Sequence, residues 1–71
     1  MSMQRDYVAS SNVVSIGYDD GSQTLEVEFK DGAIYQYYNV PRSMYDELMA
    51  APSKGQFLAY QIKNAFPYSR V

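Results

Sequence analysis

The segment 25–41 constrains the fold of this chain more than any other part of its 71 residues. Apolar residues alternate with polar ones from Thr24 to Lys30, the period-2 pattern of a strand with one buried face. Asp31-Gly32 then gives a turn signal, and a second apolar run follows it. The segment therefore predicts a β-hairpin, and its second strand carries three tyrosines: Tyr35, Tyr37 and Tyr38.

Two registers are open for this hairpin, and they place its tyrosines on opposite faces. A two-residue loop at 31–32 would turn Tyr35 and Tyr37 to solvent. A three-residue loop at 30–32 shifts the pairing by one residue and turns both tyrosines toward the apolar face of the preceding strand. We favour the second register, because it leaves Gln36 on the wet face and adds two tyrosines to the core of a small domain.

Shorter patterns predict one more strand and two helices. Residues Val13 to Tyr18 predict a strand with one apolar face, and Gly17 on its other face marks either a bulge or a close backbone approach. A first helix is expected near 43–51, with Ser43 as its N-cap, and a second from Ser53, which caps it, to Phe66. The residues expected on the apolar face of the strand are Val14, Ile16 and Tyr18.

The element order β-β-β-α-α predicts an α+β fold. A three-stranded antiparallel meander with one apolar face needs a cover, and two short amphipathic helices supply it. We expect residues 1–9 to be a flexible N-terminal segment and residues 10–71 to form a single domain. A chain this short has a stability of only about 3–5 kcal/mol, and without cysteine it has no disulfide to add to it.

The chain contains neither histidine nor cysteine, and this removes most catalytic and metal chemistry. A Ser-His-Asp triad, a Cys-His pair and imidazole or thiolate metal ligands are all excluded. Glu26 and Glu28 alternate with apolar residues, as expected of a solvated strand face. We therefore expect no enzymatic activity, no metal and no cofactor.

Charge and hydropathy bear on the cellular location of the protein and on the partners it can bind. The N-terminal residues lack the apolar run of a signal peptide, and no segment approaches the length of a membrane span, so we expect a soluble cytoplasmic protein. The net charge of −2 argues against a protein built to grip nucleic-acid phosphates. The charge is unevenly distributed, however: the chain has no acidic residue from Leu48 to Val71, but it has Lys54, Lys63 and Arg70 there.

The ordered set of motifs resembles the KTSC domain over about residues 10–71. The name refers to an occurrence at the C-terminus of some lysyl-tRNA synthetases, and the family also includes stand-alone bacterial or phage proteins. Its hallmark is a central Tyr-x-Tyr, matched here by Tyr35 and Tyr37. The resemblance implies no activity, although the association with the synthetase suggests RNA binding. The motifs that carry it are Ile16-Gly17-Tyr18, Thr24 to Phe29, Gly32 to Tyr37, Val40-Pro41, Ala51 to Leu58, and Ile62-Lys63.

Two classes of binding function remain after these exclusions. The first is a protein-interaction or self-association module, including a homodimer, since exposed tyrosine and methionine side chains are typical interface anchors. The alternative is binding of tRNA-like or single-stranded RNA, with tyrosines stacking on bases and basic side chains meeting phosphates. The candidate binding residues for these functions are Tyr35, Tyr37, Arg42, Lys54, Lys63, Tyr68 and Arg70.

Overall fold

A computed structural model describes residues 3–71. Its strands are β1 (Asp6–Tyr7), β2 (Val13–Asp19), β3 (Thr24–Phe29), β4 (Ile34–Tyr37) and β5 (Tyr68–Arg70). Its helices are α1 (Arg42–Ala50) and α2 (Lys54–Phe57), and α2 runs on into a π-helical segment (Leu58–Ile62). The α+β class predicted from the sequence is therefore confirmed.

The sheet among residues 3–71 has five antiparallel strands in the order β1-β2-β3-β4-β5, so the prediction of three strands was wrong. The two missed strands are its edges. They contain two and three residues, all exposed, and neither is long enough for apolar alternation to develop. Backbone pairing with a longer neighbour holds each of them, and a sequence pattern does not report that pairing.

The hairpin of β3 and β4 adopts the register that we favoured, so Tyr37 faces Leu25 and Tyr35 faces Val27. Gly32 takes a left-handed φ of 93°, and its N–H donates to the carbonyl of Phe29 at 2.9 Å. This bulge supplies the one-residue shift that turns both tyrosines toward the core.

A second bulge lies in β2 and changes the face that we predicted for its first residues. Val13 pairs with Phe29 but Ser15 pairs with Glu28, so Val14 is the extra residue. Val13 therefore takes the fully buried core position, while Val14 is only half-buried.

The helices cover one face of the sheet, and Leu48, Leu58 and Ile62 from them enter the core. In the π-helical segment the Lys63 N–H donates to the carbonyl of Leu58, five residues back, at 2.8 Å. None of the helices within residues 3–71 is long and apolar enough to span a bilayer. The buried core consists of Val13, Ile16, Leu25, Val27, Tyr37, Val40, Leu48, Leu58 and Ile62.

Residues 3–5 lie across the other face of the sheet, next to Gly17. Residues 6–7, which we placed in the flexible N-terminal segment 1–9, form β1; residues 1–2 of that segment lie outside the described residues, and its flexibility stays a prediction. The Arg5 guanidinium bonds Glu26 at 3.0 Å and approaches Glu28 at 3.5 Å. Glu26 is only 8% exposed, so the expectation that this face is fully solvated was wrong. Gln36 also donates to Glu26, at 2.9 Å.

One of the two predicted helix caps is present. The Ser53 hydroxyl accepts a hydrogen bond from the Gln56 N–H at 3.3 Å, as predicted for an N-cap. The prediction that Ser43 is the N-cap of the first helix was wrong. Helix α1 begins one residue earlier, at Arg42, and its N-cap is Pro41. No side chain caps this helix. Proline at that position has the extended backbone of a cap but no hydroxyl to accept a hydrogen bond.

We expect Ser53→Ala to lower the free energy of unfolding by about 1 kcal/mol, because it removes an acceptor from the first turn of α2. Ser43→Ala is the matched control, since this exposed serine caps nothing, and it should change stability by less than about 0.5 kcal/mol. Urea denaturation followed by circular dichroism measures both variants. Equal losses would contradict the assignment of the caps.

Candidate functional site

A groove of about 510 Å³ opens between the sheet and the helical segment that starts at Lys54. We call it the aromatic groove, because four aromatic rings of the sheet line it. The rings of the sheet wall are Phe29, Tyr35, Tyr37 and Tyr68, and the helical wall presents Ala59 and Lys63.

The strand registers bring the rings of the sheet wall together. Tyr68 on β5 lies directly opposite Tyr37 on β4, and their ring centroids are 5.7 Å apart. The ring of Tyr35 meets Tyr68 edge-on at 5.8 Å, and on its other side meets Phe29 edge-on at 5.8 Å. Edge-to-face packing at these distances is favourable for aromatic pairs, so the wall is a continuous aromatic surface.

Burial decreases along this wall from the core to solvent. Tyr37 is 5% exposed, Tyr35 is half-buried, and Tyr68 is 52% exposed. Base stacking through Tyr35 and Tyr37 requires both rings to be open on a flat face. The burial of Tyr37 removes that platform and leaves a recess in its place.

The hydroxyl groups of the wall are available to a ligand. Burial raises the pKa of Tyr37, and the neighbouring Tyr35 and Tyr68 hydroxyls raise it further. The Tyr37 phenol therefore stays protonated at neutral pH and can donate a hydrogen bond. Within residues 3–71, no hydrogen bond to another protein group uses the hydroxyls of these three tyrosines.

The π-helical segment shapes the opposite wall. In this segment Leu58 and Ile62 are buried in the core, while Ala59 and Lys63 are exposed on the groove side. A π-helical turn is a rare feature that occurs often at functional sites. The regular helix that we predicted here missed it, because apolar spacing does not distinguish the two geometries.

One of the predicted basic residues lines the groove, one lies on the same face of the sheet, and two lie elsewhere. Lys63 lines it, and Arg70 is paired with Tyr35, which places it on the same face of the sheet. Lys54 donates from Nζ to the carbonyl of Ala51 at 2.6 Å and does not reach the groove.

Arg42 belongs to a different cluster at the start of α1. It pairs with Asp20 and with Asp46, and these two partners raise its pKa, the Asp46 hydrogen bond most. Its guanidinium also lies 5.6 Å from the centre of the Tyr45 ring, which stacks on Tyr18. This cluster fixes α1 to the β2–β3 turn, so Arg42 does not belong to the candidate site.

Seven residues that line the groove were not predicted from the sequence as ligand contacts. The Asn12 side chain lies over Gly55, where a Cβ atom would be 2.5 Å from Asn12 Oδ1. Glycine in the first turn of α2 was the available signal, since it permits close approach to a neighbour. The residues missed are Asn12, Phe29, Asp31, Ala33, Gly55, Leu58 and Ala59.

These features define a small α+β domain in which a five-stranded antiparallel sheet and a helical segment enclose an aromatic groove. The KTSC domain family matches residues 9–66, and the chain belongs to that family. A solved KTSC domain protein from Yersinia pestis is 40% identical, with a TM-score of 0.94 over 99% of both chains.

Two kinds of protein are similar in sequence to this chain: small proteins of comparable length and much longer ligases. A protein from Tsukamurella paurometabola is 42% identical over 83% of this chain and 88% of its own length. A lysine–tRNA ligase from Trichormus variabilis is 43% identical over 76% of this chain, and the match spans 10% of the ligase. The chain therefore corresponds to about a tenth of the ligases that it matches.

Proposed function

We propose that this domain binds other proteins through the aromatic groove and catalyses no reaction. The observation that carries the proposal is the aromatic wall itself, whose phenol hydroxyls make no hydrogen bond to a protein group within residues 3–71. A groove of about 510 Å³ lies within the range of about 300–1,000 Å³ found for ligand pockets. Tyrosine and phenylalanine are also enriched where proteins bind one another.

The shape of the wall favours a protein segment over a nucleic acid. An aliphatic or aromatic side chain entering the recess would contact the faces and edges of several rings at once. A nucleobase needs an open ring face, and the most central tyrosine of the wall, Tyr37, is 5% exposed. The net charge of −2 also weakens attraction to a phosphate backbone.

RNA is the second candidate ligand, and one finding favours it. Relatives that share this domain include lysine–tRNA ligases, whose name indicates that they act on a tRNA. Lys63 in the groove and Arg70 on the same face of the sheet would meet phosphates, and the half-exposed ring of Tyr68 would stack on a base. In this case the affinity would fall steeply with salt.

Filling the groove tests both candidates. We expect Ala59→Trp to abolish binding of peptides selected from a random library displayed on phage, since the indole would occupy the space beside the aromatic wall. Ala59 is exposed, so the variant should fold, and Ala59→Leu gives a milder filling of the same space. The measurement is the enrichment of peptides on the wild type relative to each variant.

The control for this experiment is Glu47→Trp, which adds the same indole to an exposed position of α1 away from the groove. It should retain the selected peptides. Peptides that bind all variants equally, or no enrichment at all, would contradict the proposal. If oligouridylate binds in a salt-dependent manner and Ala59→Trp abolishes that binding, the groove would be assigned to RNA instead.

A further inference from the structure

We propose that the partner segment is acidic and extended, and that it pairs with the free edge of β5. In this arrangement an apolar or aromatic anchor enters the groove beside Tyr68. A carboxylate two residues from the anchor meets Arg70. The inference rests on the proposed function, because it names the chemistry of the segment that the aromatic groove would bind.

The backbone of β5 has one edge paired and one edge free within the described sheet. The Pro67 carbonyl accepts from the Tyr38 N–H, and the Val71 N–H donates to the Ile34 carbonyl, both at 2.8 Å. Backbone groups of successive strand residues point to opposite edges, so those of Tyr68 and Arg70 point away from β4. They can receive an added strand, the recognition mode in which backbone bonds give affinity and side-chain pockets give specificity.

The side chains of the same two residues set the spacing of the partner. Tyr68 and Arg70 are opposite Tyr37 and Tyr35, so both side chains lie on the groove face of the sheet. Residues of an added strand on that face are also two apart. The anchor and the acid of the partner are therefore separated by one residue.

The charge around the groove selects an acidic partner. The part of the chain that forms α2, the π-helical segment and β5 has no acidic residue. Among residues 3–71, neither Lys63 nor Arg70 takes part in an ion pair. Asp31 also lines the groove, but its carboxylate accepts from the Ala33 N–H at 3.0 Å, so it belongs to the β3–β4 turn.

Reversing the charge of Arg70 tests this inference. Peptides selected on the wild type should carry Asp or Glu two positions from an aromatic or aliphatic residue. The most enriched peptide, made synthetically, should bind Arg70→Glu about fivefold more weakly than the wild type, as expected for one exposed ion pair changed to a repulsion. The difference should shrink at high salt, and a library selected on Arg70→Glu should shift toward Lys or Arg.

The backbone contact is tested by comparing two further variants. Arg70→Ala loses the guanidinium, while Arg70→Pro also loses the N–H that points away from β4. We therefore expect Arg70→Pro to bind the peptide more weakly than Arg70→Ala, with both folded by circular dichroism. Equal affinities would overturn the strand pairing.

The outcomes separate this inference from the proposed function. Selected peptides that lose binding to Ala59→Trp but show no acidic preference would leave the groove as a binding site and overturn the acidic partner. If Ala59→Trp still binds every selected peptide, both the acidic partner and the proposed function are overturned. A dimer of the free protein that Ala59→Trp dissociates would identify the occupant as a second copy, and binding of oligouridylate alone would identify it as RNA; either result overturns the acidic peptide.

Discussion

Replacing Tyr35 and Tyr37 together by alanine is expected to unfold the domain. Tyr37 is 5% exposed and packs opposite the fully buried Leu25, while Tyr35 packs opposite Val27. Truncating a buried aromatic side chain typically costs about 3–5 kcal/mol. The two losses exceed the stability of about 3–5 kcal/mol that a domain of this size commonly has.

The double variant is measured by far-ultraviolet circular dichroism and by its thermal unfolding midpoint. The matched control replaces Tyr7 and Tyr60 by alanine, two tyrosines that are 86% and 80% exposed, and should stay folded. Replacing Tyr35 and Tyr37 by phenylalanine should also preserve the fold, because their hydroxyls bond no protein group within residues 3–71. A double alanine variant with an unchanged midpoint would show that the rings are not structural.

Gly17→Ala is expected to detach residues 3–7 from the sheet and to lower stability by about 1–3 kcal/mol. A Cβ atom at this position would lie 2.6 Å from the carbonyl oxygen of Gln4 and 2.8 Å from Cγ of Arg5. The first of these atoms is backbone, so the N-terminal segment must move as a unit. The ion pair of Arg5 with Glu26 and the pairing of β1 with β2 are then lost.

A double-mutant cycle tests this mechanism by urea denaturation. Gly17→Ala and Arg5→Ala both break the contact with Glu26, so their combined cost should be smaller than the sum of the two. Gly21→Ala is the matched control, because the nearest atom to its Cβ, Asp19 Oδ1, is 4.0 Å away. Additive losses, or an equal loss at Gly21, would contradict the account.

The parts of the fold that could be predicted are those with a local pattern. The alternation in β3 and the turn at Asp31-Gly32 predicted the central hairpin, and the need to bury Tyr35 and Tyr37 selected its register. The edge strands could not be predicted, since a strand such as β5 has three exposed residues and is defined by its partner. The burial of Glu26 could not be predicted either, because it depends on contact with Arg5, which is distant in the sequence.

The candidate site also combines residues that a local sequence pattern reveals with contacts that form only in the folded chain. Four predicted binding residues line the groove. Tyr35 and Tyr37 were candidates because aromatic residues are conspicuous in a short strand, and Tyr68 and Lys63 because exposed tyrosines and bases suit an interface. The groove that joins them was not predictable, because it forms where the π-helical segment faces β5, two elements that spacing alone does not reveal. That Arg42 lies outside the groove could not be predicted for a related reason: its partners Asp20 and Asp46 come together only in the folded chain.

The most direct test of groove binding is a nuclear magnetic resonance titration of the ¹⁵N-labelled protein with the most enriched peptide. We expect saturable shifts confined to the amides of the π-helical segment and of residues 68–71. Ala59→Trp should remove these shifts and Glu47→Trp should not. Saturable shifts confined to α1 or to the β1 edge would contradict groove binding, because the aromatic groove would then not be the binding site.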